Sequence, residues 1–129
     1  MKNLFYLVLV LALVACQKYE GTGGRASVKG KIYVKKYNQS FTQLLDEYYA
    51  PEERVYIMYG DNEVYDDDMR TNFDGAFEFN FLKKGNYTIF VYSEDTTFTV
   101  PGGLEPIFYE FEITDKKETI DLGDITIIN

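Results

Sequence analysis

The residues of this chain that can do chemistry are carboxylates, phenols and one thiol. The sequence has 21 Asp and Glu residues, 12 tyrosines, a single cysteine at position 16 and no histidine. Without histidine the chain lacks the usual general base and the nitrogen ligand of zinc, and no serine lies in a nucleophile-elbow sequence. We therefore expect no catalytic residues, no zinc site and no enzymatic activity.

Calcium is the one metal that this composition favours, because it binds roughly six to eight oxygen atoms from carboxylates and carbonyls. Five aspartates fall within residues 61–74: Asp61, Asp66, Asp67, Asp68 and Asp74. Their spacing differs from that of an EF-hand loop, and aspartate is also common in turns. We expect no cofactor and keep Asp66, Asp67, Asp68 and Asp74 as the calcium candidates.

The aromatic residues, 17% of the chain, are all Tyr and Phe. Four of them are predicted on the outward face of their strand, since they alternate with apolar residues that face inward: Tyr33, Tyr56, Phe90 and Tyr92. Contiguous exposed aromatic residues mark surfaces that bind a partner or a sugar. The alternative is that residues 41–49, with apolar residues at helical spacing, form a helix that covers them.

The first sixteen residues predict export and lipidation. Lys2 is followed by an unbroken run of twelve apolar residues, 4–15, which is shorter than the roughly 20 residues that span a bilayer. Leu13-Val14-Ala15-Cys16 then resembles the lipobox of bacterial lipoproteins. This resemblance implies cleavage before Cys16 and acylation of its thiol, whereas the alternative is an ordinary signal peptide with a chance cysteine. We expect a signal peptide at 1–15, a lipidated Gly-rich tether at 16–25 and one domain at 26–129.

The domain reads as many short strands. Alternation predicts strands at 27–37, 54–59, 76–81, 87–92, 106–114 and 119–127, with loops or strand edges at 66–68 and 97–104. Phe77, Phe79 and Phe81 are expected to face inward on one strand, and Tyr87, Ile89 and Val91 on the next. The pattern predicts an all-β antiparallel Greek-key sandwich of about seven strands, with a short helix or turn after the first strand.

The segment from Thr71 to Val91 also carries a family resemblance. Its Asp74-Gly75 turn, the Phe77-x-Phe79 pair, and the later Leu82, Gly85 and Tyr87 are similar to the signature of carboxypeptidase regulatory-like and transthyretin-like β-sandwich modules. The resemblance implies a non-catalytic module attached to enzymes, outer-membrane receptors or surface proteins.

Charge and location narrow the expected partners. The formal charge of −8 disfavours binding of nucleic acid and electrostatic attachment to a membrane, so attachment is expected to come from lipid on Cys16. Residues 16–20 resemble the start of surface-exported lipoproteins of Bacteroidetes, although the side of the outer membrane stays open. We expect a non-catalytic accessory module that docks on an outer-membrane protein assembly such as a nutrient-uptake complex. The alternative is a module that binds glycan or peptide through exposed Tyr and Phe.

Overall fold

The computed structural model describes residues 20–129, which form strands and turns without a helix. The strands are β1 (Thr22–Tyr37), β2 (Leu44–Tyr49), β3 (Arg54–Tyr59), β4 (Asp67–Arg70), β5 (Ala76–Leu82), β6 (Gly85–Glu94), β7 (Leu104–Ile113) and β8 (Thr119–Ile128). They build two four-stranded sheets, which confirms the predicted all-β sandwich, with eight strands instead of about seven. Residues 20–129 contain no helical segment of the length and hydropathy that crossing a membrane requires.

The long strand β1 organises the first sheet, which we call the β1 sheet. Its N-terminal half pairs with β5 and its C-terminal half with β2, both antiparallel. On its other edge β8 pairs with it in parallel from Ser27 to Lys35. The first and last described strands are therefore neighbours, and this parallel pair is a departure from the purely antiparallel sandwich that we predicted.

The second sheet, which we call the β6 sheet, has the strand order β4-β3-β6-β7. All three of its pairings are antiparallel. The chain passes from the β1 sheet to the β6 sheet through the two-residue connection Lys83-Lys84, between β5 and β6. Tyr87, Ile89 and Val91 of β6 alternate inward, so the intervening side chains of this strand face away from the core.

The core lies between the two sheets and confirms most of the predicted inward positions. Phe77, Phe79, Tyr87, Ile89 and Val91 are all buried. They pack with apolar residues of the other strands: Val28, Ile32 and Val34 of β1, Val55 and Ile57 of β3, and Ile125 and Ile127 of β8. One tyrosine and two phenylalanines thus contribute to a core of the kind that smaller secreted domains lack, and for which those domains compensate with disulfides.

The prediction that Phe81 faces inward is wrong. Its φ of 60° places it in the left-handed region, where the alternation of the strand breaks. Phe81 is therefore 70% exposed, and the next residue, Leu82, takes the buried position. The pairing of β1 with β5 shifts register at the same place, where Thr22 and Ala26 both lie opposite Leu82.

Residues 41–49, predicted as a short helix or turn, form no helix. Residues 38–43 form a turn, in which the side-chain oxygen of Asn38 accepts hydrogen bonds from the backbone N–H groups of Thr42 and Gln43. The chain then returns as β2 along the C-terminal half of β1. All six residues of β2 are exposed, so its apolar spacing has no core to face, and pairing with β1 satisfies its backbone instead.

Two further segments are defined by pairing between strands. Asp67 and Asp68, predicted to lie in a loop or a strand edge, begin the short edge strand β4, which pairs with β3. β1 begins at Thr22, so the last four residues of the predicted tether belong to the sheet. The reason is a close approach: a side chain on Gly24 would collide with the backbone carbonyl of Leu82, and only glycine lets β1 and β5 come together there.

Candidate functional site

A row of aromatic residues crosses the outer surface of the β6 sheet. Tyr56 of β3 lies directly opposite Phe90 of β6, and Phe90 lies opposite Phe108 of β7. Val55, Ile57, Ile89 and Val91, which flank Tyr56 and Phe90 in sequence, are buried in the core. The alternation of the strands therefore aims the row away from the core.

The rings of this row contact one another and two more tyrosines. Tyr56 stacks on Phe90, with ring centroids 4.7 Å apart and planes inclined by 8°. Tyr92 meets Phe90 edge-on at 5.8 Å, and Phe108 meets it at 5.6 Å. Tyr65, from the loop between β3 and β4, contacts Tyr56 edge-on at 4.9 Å. We call these five residues, Tyr56, Tyr65, Phe90, Tyr92 and Phe108, the aromatic face.

Exposure within the aromatic face rises from its centre to its edge. Phe90 at the centre is 7% exposed, because the neighbouring rings cover it. At the edge, Tyr92 is 41% and Phe108 55% exposed. Cross-strand aromatic pairs stabilise the sheet, but the exposed rings leave apolar area in water that a partner can cover.

Charged side chains border the aromatic face at the β4 edge. Asp68 lies opposite Tyr56 in the strand register, and its carboxylate is 3.2 Å from the guanidinium Nε of Arg54. Arg70 lies opposite Arg54. Both partners of the ion pair are about half exposed, so it adds little stability, but it fixes a polar rim beside the rings.

The structure brings together three of the four aromatic residues predicted to form a partner surface. Tyr56, Phe90 and Tyr92 belong to the aromatic face, whereas Tyr33 lies on β1, in the other sheet. There Tyr33 packs edge-on against Tyr49 at 5.1 Å, and the hydroxyl of Tyr49 donates a hydrogen bond of 2.8 Å to Asp124. The predicted surface is therefore two separate ones, and the segment expected to cover it, residues 41–49, belongs to the β1 sheet instead.

Sequence reasoning missed Tyr65 and Phe108. Phe108 sits between Ile107 and Tyr109, which pack against the core, so alternation alone places it outward. Its contact with Phe90, however, depends on the register between β6 and β7, which the sequence alone does not reveal. Tyr65 lies in a loop that has no periodicity, and no sequence signal indicated its contact with Tyr56.

The calcium candidates do not converge. The carboxylate of Asp66 accepts hydrogen bonds from the backbone N–H of Tyr59, at 2.7 Å, and from the side chain of Asn62. Asp67 accepts one from the backbone of Asp68, and Asp68 pairs with Arg54, while Asp74 lies in the turn before β5. Within residues 20–129 no three His, Cys, Asp or Glu side chains are grouped so that they could hold a metal ion.

A mixed-charge cleft of about 590 Å³ opens on the β1 sheet and extends to Met69 and Arg70 of β4. It is lined by three cations and four acids or amides: Lys29, Lys31, Arg70, Asn72, Glu78, Asp121 and Asp124. The ammonium of Lys31 lies 5.0 Å from the ring centre of Tyr49, and Tyr49 binds Asp124. The cleft thus presents both charge signs.

The loop between β6 and β7 is organised by one buried carboxylate, Asp95. Asp95 accepts hydrogen bonds from the hydroxyl and N–H of Thr97 and from the N–H groups of Thr99 and Val100. These bonds, that of the Thr97 hydroxyl first, hold the pKa of Asp95 well below its usual range. They act as a local cap for the loop.

Because the pKa of Asp95 is lowered in the folded chain, its contribution is present above the ordinary Asp pKa and is lost as the pH falls below about 4. We expect backbone amide protection in residues 96–103 to fall between neutral pH and about pH 3, as measured by hydrogen exchange corrected for intrinsic rates. Asp95→Asn should show low protection at neutral pH with little further change on acidification. The exposed acid Glu105, changed to Gln, is the control, and an unaltered loop in Asp95→Asn would contradict this role.

Comparisons with known proteins show a weak structural likeness and no family. No known protein family matches the chain, and no curated protein is similar to it. A crystal structure of (S)-allantoin synthase is similar at 15% identity and a TM-score of 0.42, over 77% of this chain, which spans 41% of the length of that one. Because that protein is an enzyme, the expectation that this chain is not an enzyme is contradicted and is withdrawn. A likeness this weak does not indicate which activity, if any, this chain has.

Proposed function

We propose that this chain is a lipid-anchored module of the outer membrane that docks on a membrane protein assembly through its aromatic face. The aromatic face is the observation that carries the proposal. Five rings in contact, exposed at their edge and bordered by an ion pair, have the composition of a binding surface, in which Tyr, Phe and Arg are enriched around an apolar centre. Cys16, the proposed site of the lipid, lies outside the described residues.

The shape of the aromatic face favours a protein partner over a glycan. The rings lie across the neighbouring strands β3, β6 and β7 of one sheet, and the mixed-charge cleft lies mainly on the other sheet. Phe90, the central ring, is covered by its neighbours, so a sugar cannot stack on its face. An apolar patch with a polar rim is typical of an interface between proteins.

An anchored module also needs only modest affinity. A partner in the same membrane is held at a high effective concentration, so even a weak surface gives a lasting complex. The resemblance to carboxypeptidase regulatory-like modules, which occur on outer-membrane receptors and surface proteins, supports an accessory role in such an assembly. A nutrient-uptake complex is the assembly we propose to examine first.

Crosslinking in intact cells tests the docking surface. We expect Phe108→Ala to reduce the yield of a specific crosslinked protein by about tenfold or more, because this exposed ring of the aromatic face is free for a partner to bury. Phe73→Ala is the matched control, because Phe73 is 91% exposed in the turn before β5 and lies outside the aromatic face. The abundance of both variants in the membrane fraction should equal that of the unaltered protein.

Two outcomes would overturn this proposal. Equal crosslinking of Phe108→Ala and the unaltered protein would remove the aromatic face from the interface. Recovery of the protein without any crosslinked partner, together with binding of purified protein to a polysaccharide that Phe108→Ala abolishes, would instead establish the glycan-binding alternative.

A further inference from the structure

The chain enters the sandwich at the end where β5 turns into β6. The backbone N–H of Gly21 donates a hydrogen bond of 2.9 Å to the hydroxyl of Tyr87, and the carbonyl of Gly21 accepts one of 2.9 Å from the N–H of Lys83. The same Tyr87 hydroxyl donates to the carbonyl of Lys83 at 2.7 Å. Tyr87 is buried, so these bonds fix residue 21 against the turn.

This attachment limits how far the proposed lipid can lie from the turn. Cys16 precedes Gly21 by five residues, and an extended chain covers at most about 3.4 Å per residue. Cys16 is therefore within about 17 Å of Gly21 in any conformation. If Cys16 carries the lipid, the β5–β6 end of the sandwich lies next to the membrane surface.

That same end concentrates positive charge. A cavity of about 630 Å³ beside Gly23 and Gly24 is lined by five cationic residues: Arg25, Lys83, Lys84, Lys116 and Lys117. They come from the start of β1, the β5–β6 turn and the β7–β8 turn, and no acidic residue shares the lining. The whole chain has 13 Lys and Arg against 21 Asp and Glu, so the cationic end, as we call these five residues, runs against its overall charge.

Three carboxylates lie near the cationic end. Glu118 accepts hydrogen bonds from the backbone N–H groups of Thr114 and Asp115, and Asp115 accepts one from the N–H of Lys117. These bonds hold both carboxylates within the β7–β8 turn and leave them negatively charged, while the side chain of Glu20 lies against Gly85 at the start of β6. Among residues 20–129 the ion pair within 4 Å is that of Arg54 with Asp68, at the β4 edge.

We propose that the cationic end binds the phosphate groups of anionic lipid headgroups in the leaflet that holds the lipid of Cys16. The inference rests on the proposed lipid anchor, which brings these five charges to within reach of the headgroups. A cluster of this number beside a membrane attachment point is typical of anionic lipid recognition, and the attraction acts over a Debye length of about 8 Å. The charge of the cationic end itself governs this contact. The net negative charge of the whole chain, which disfavours electrostatic attachment to a membrane, therefore does not prevent it.

Such a contact would orient the module. β6 begins at Gly85, at the cationic end, and Phe90 lies five residues further along, or about 17 Å away at the rise of a strand. With the cationic end on the headgroups, the aromatic face points sideways above the membrane. It would then face the flank of a neighbouring membrane protein.

Hydrogen exchange on the full-length lipidated protein in vesicles tests the proposal. The protein is reconstituted into phosphatidylcholine vesicles or into equal parts of phosphatidylcholine and phosphatidylglycerol. We expect amides in the β5–β6 and β7–β8 turns to exchange about tenfold more slowly on the anionic vesicles, and this difference to vanish at high salt. Lys83→Glu with Lys84→Glu should abolish the difference. Lys35→Glu with Lys36→Glu, an equal charge change near the opposite end of β1, should preserve it.

Each result decides a separate point. Equal exchange on both vesicle types, or equal loss in the two double variants, would overturn binding by the cationic end. Slowed exchange on phosphatidylcholine vesicles after addition of inorganic phosphate would overturn the lipid headgroup as the ligand. Flotation with phosphatidylcholine vesicles reports the lipid anchor independently, so a failed anchor is distinguished from a failed headgroup contact. The salt series on the unaltered protein keeps the test decisive if the Lys83 and Lys84 variant does not fold.

Discussion

Replacing Phe79 by alanine is expected to lower the free energy of unfolding by about 3–5 kcal/mol, the usual cost of deleting a buried aromatic ring. Phe79 lies on the inner surface of β5, opposite Val28 of β1 in the register, and contacts the ring of Phe77 at 6.3 Å. Strands of both sheets surround it, so the backbone cannot close the space that the ring leaves. Single domains have a total stability of about 5–15 kcal/mol, so this one change should leave a marginal fold.

Urea unfolding of the purified protein measures this loss. Phe73→Ala is the matched control, because it removes the same side chain from an exposed position and should change stability by less than about 0.5 kcal/mol. The denaturant slope should remain similar in both variants, since neither alters the surface exposed on unfolding by much. A loss below about 1 kcal/mol for Phe79→Ala would contradict the assignment of the inward face of β5.

The sequence predicted the sandwich because most strands have one buried and one exposed face. In β3, alternation of Val55, Tyr56 and Ile57 gave both the boundaries and the facing, since each residue in the strand obeys the period of two. The same logic placed Phe77, Phe79 and Tyr87 in the core. Wherever burial follows the local period, local sequence is sufficient.

Local sequence failed where a tertiary contact decides the structure. β2 is fully exposed and exists because the C-terminal half of β1 offers a free edge, which no pattern within residues 41–49 indicates. β4 is held in the same way by β3. Phe81 turns outward because of a bulge that adjusts the pairing of β5 with β1, and the period of two cannot anticipate a residue that breaks it.

The aromatic face and the cationic end also depend on contacts between strands that are distant in sequence. Outward facing was predictable for Tyr56 and Phe90, but their stacking depends on the pairing of β3 with β6, and the separation of Tyr33 depends on which sheet contains β1. The cationic end joins Arg25 to lysines about 60 and 90 residues later in the chain, so neither a charge run nor the net charge of −8 revealed it. It appears only when three chain segments meet at one end.

The anchor on which both proposals depend gives the last prediction. We expect Cys16→Ala to abolish stable membrane attachment of the processed protein, as measured by fractionation and by the mass of the chain. The physical reason is that stable anchoring needs two signals, such as two acyl chains, or one chain together with a basic patch. The cationic end alone supplies a salt-sensitive contact that cannot replace acyl chains, so the variant should be found in the soluble fraction or as an uncleaved precursor.

The control for this change is Gln17→Ala, which alters the adjacent residue and leaves the thiol in place. It should be processed and attached like the unaltered protein, whereas Lys83→Glu with Lys84→Glu should stay attached but lose its dependence on anionic lipid. This contrast separates anchoring from orientation. In our proposal the covalent lipid attaches the module to the membrane, and the five cations determine its orientation at the membrane surface. Normal processing and undiminished attachment of Cys16→Ala would contradict the lipid anchor, and the position of the cationic end next to the membrane would then lose its basis.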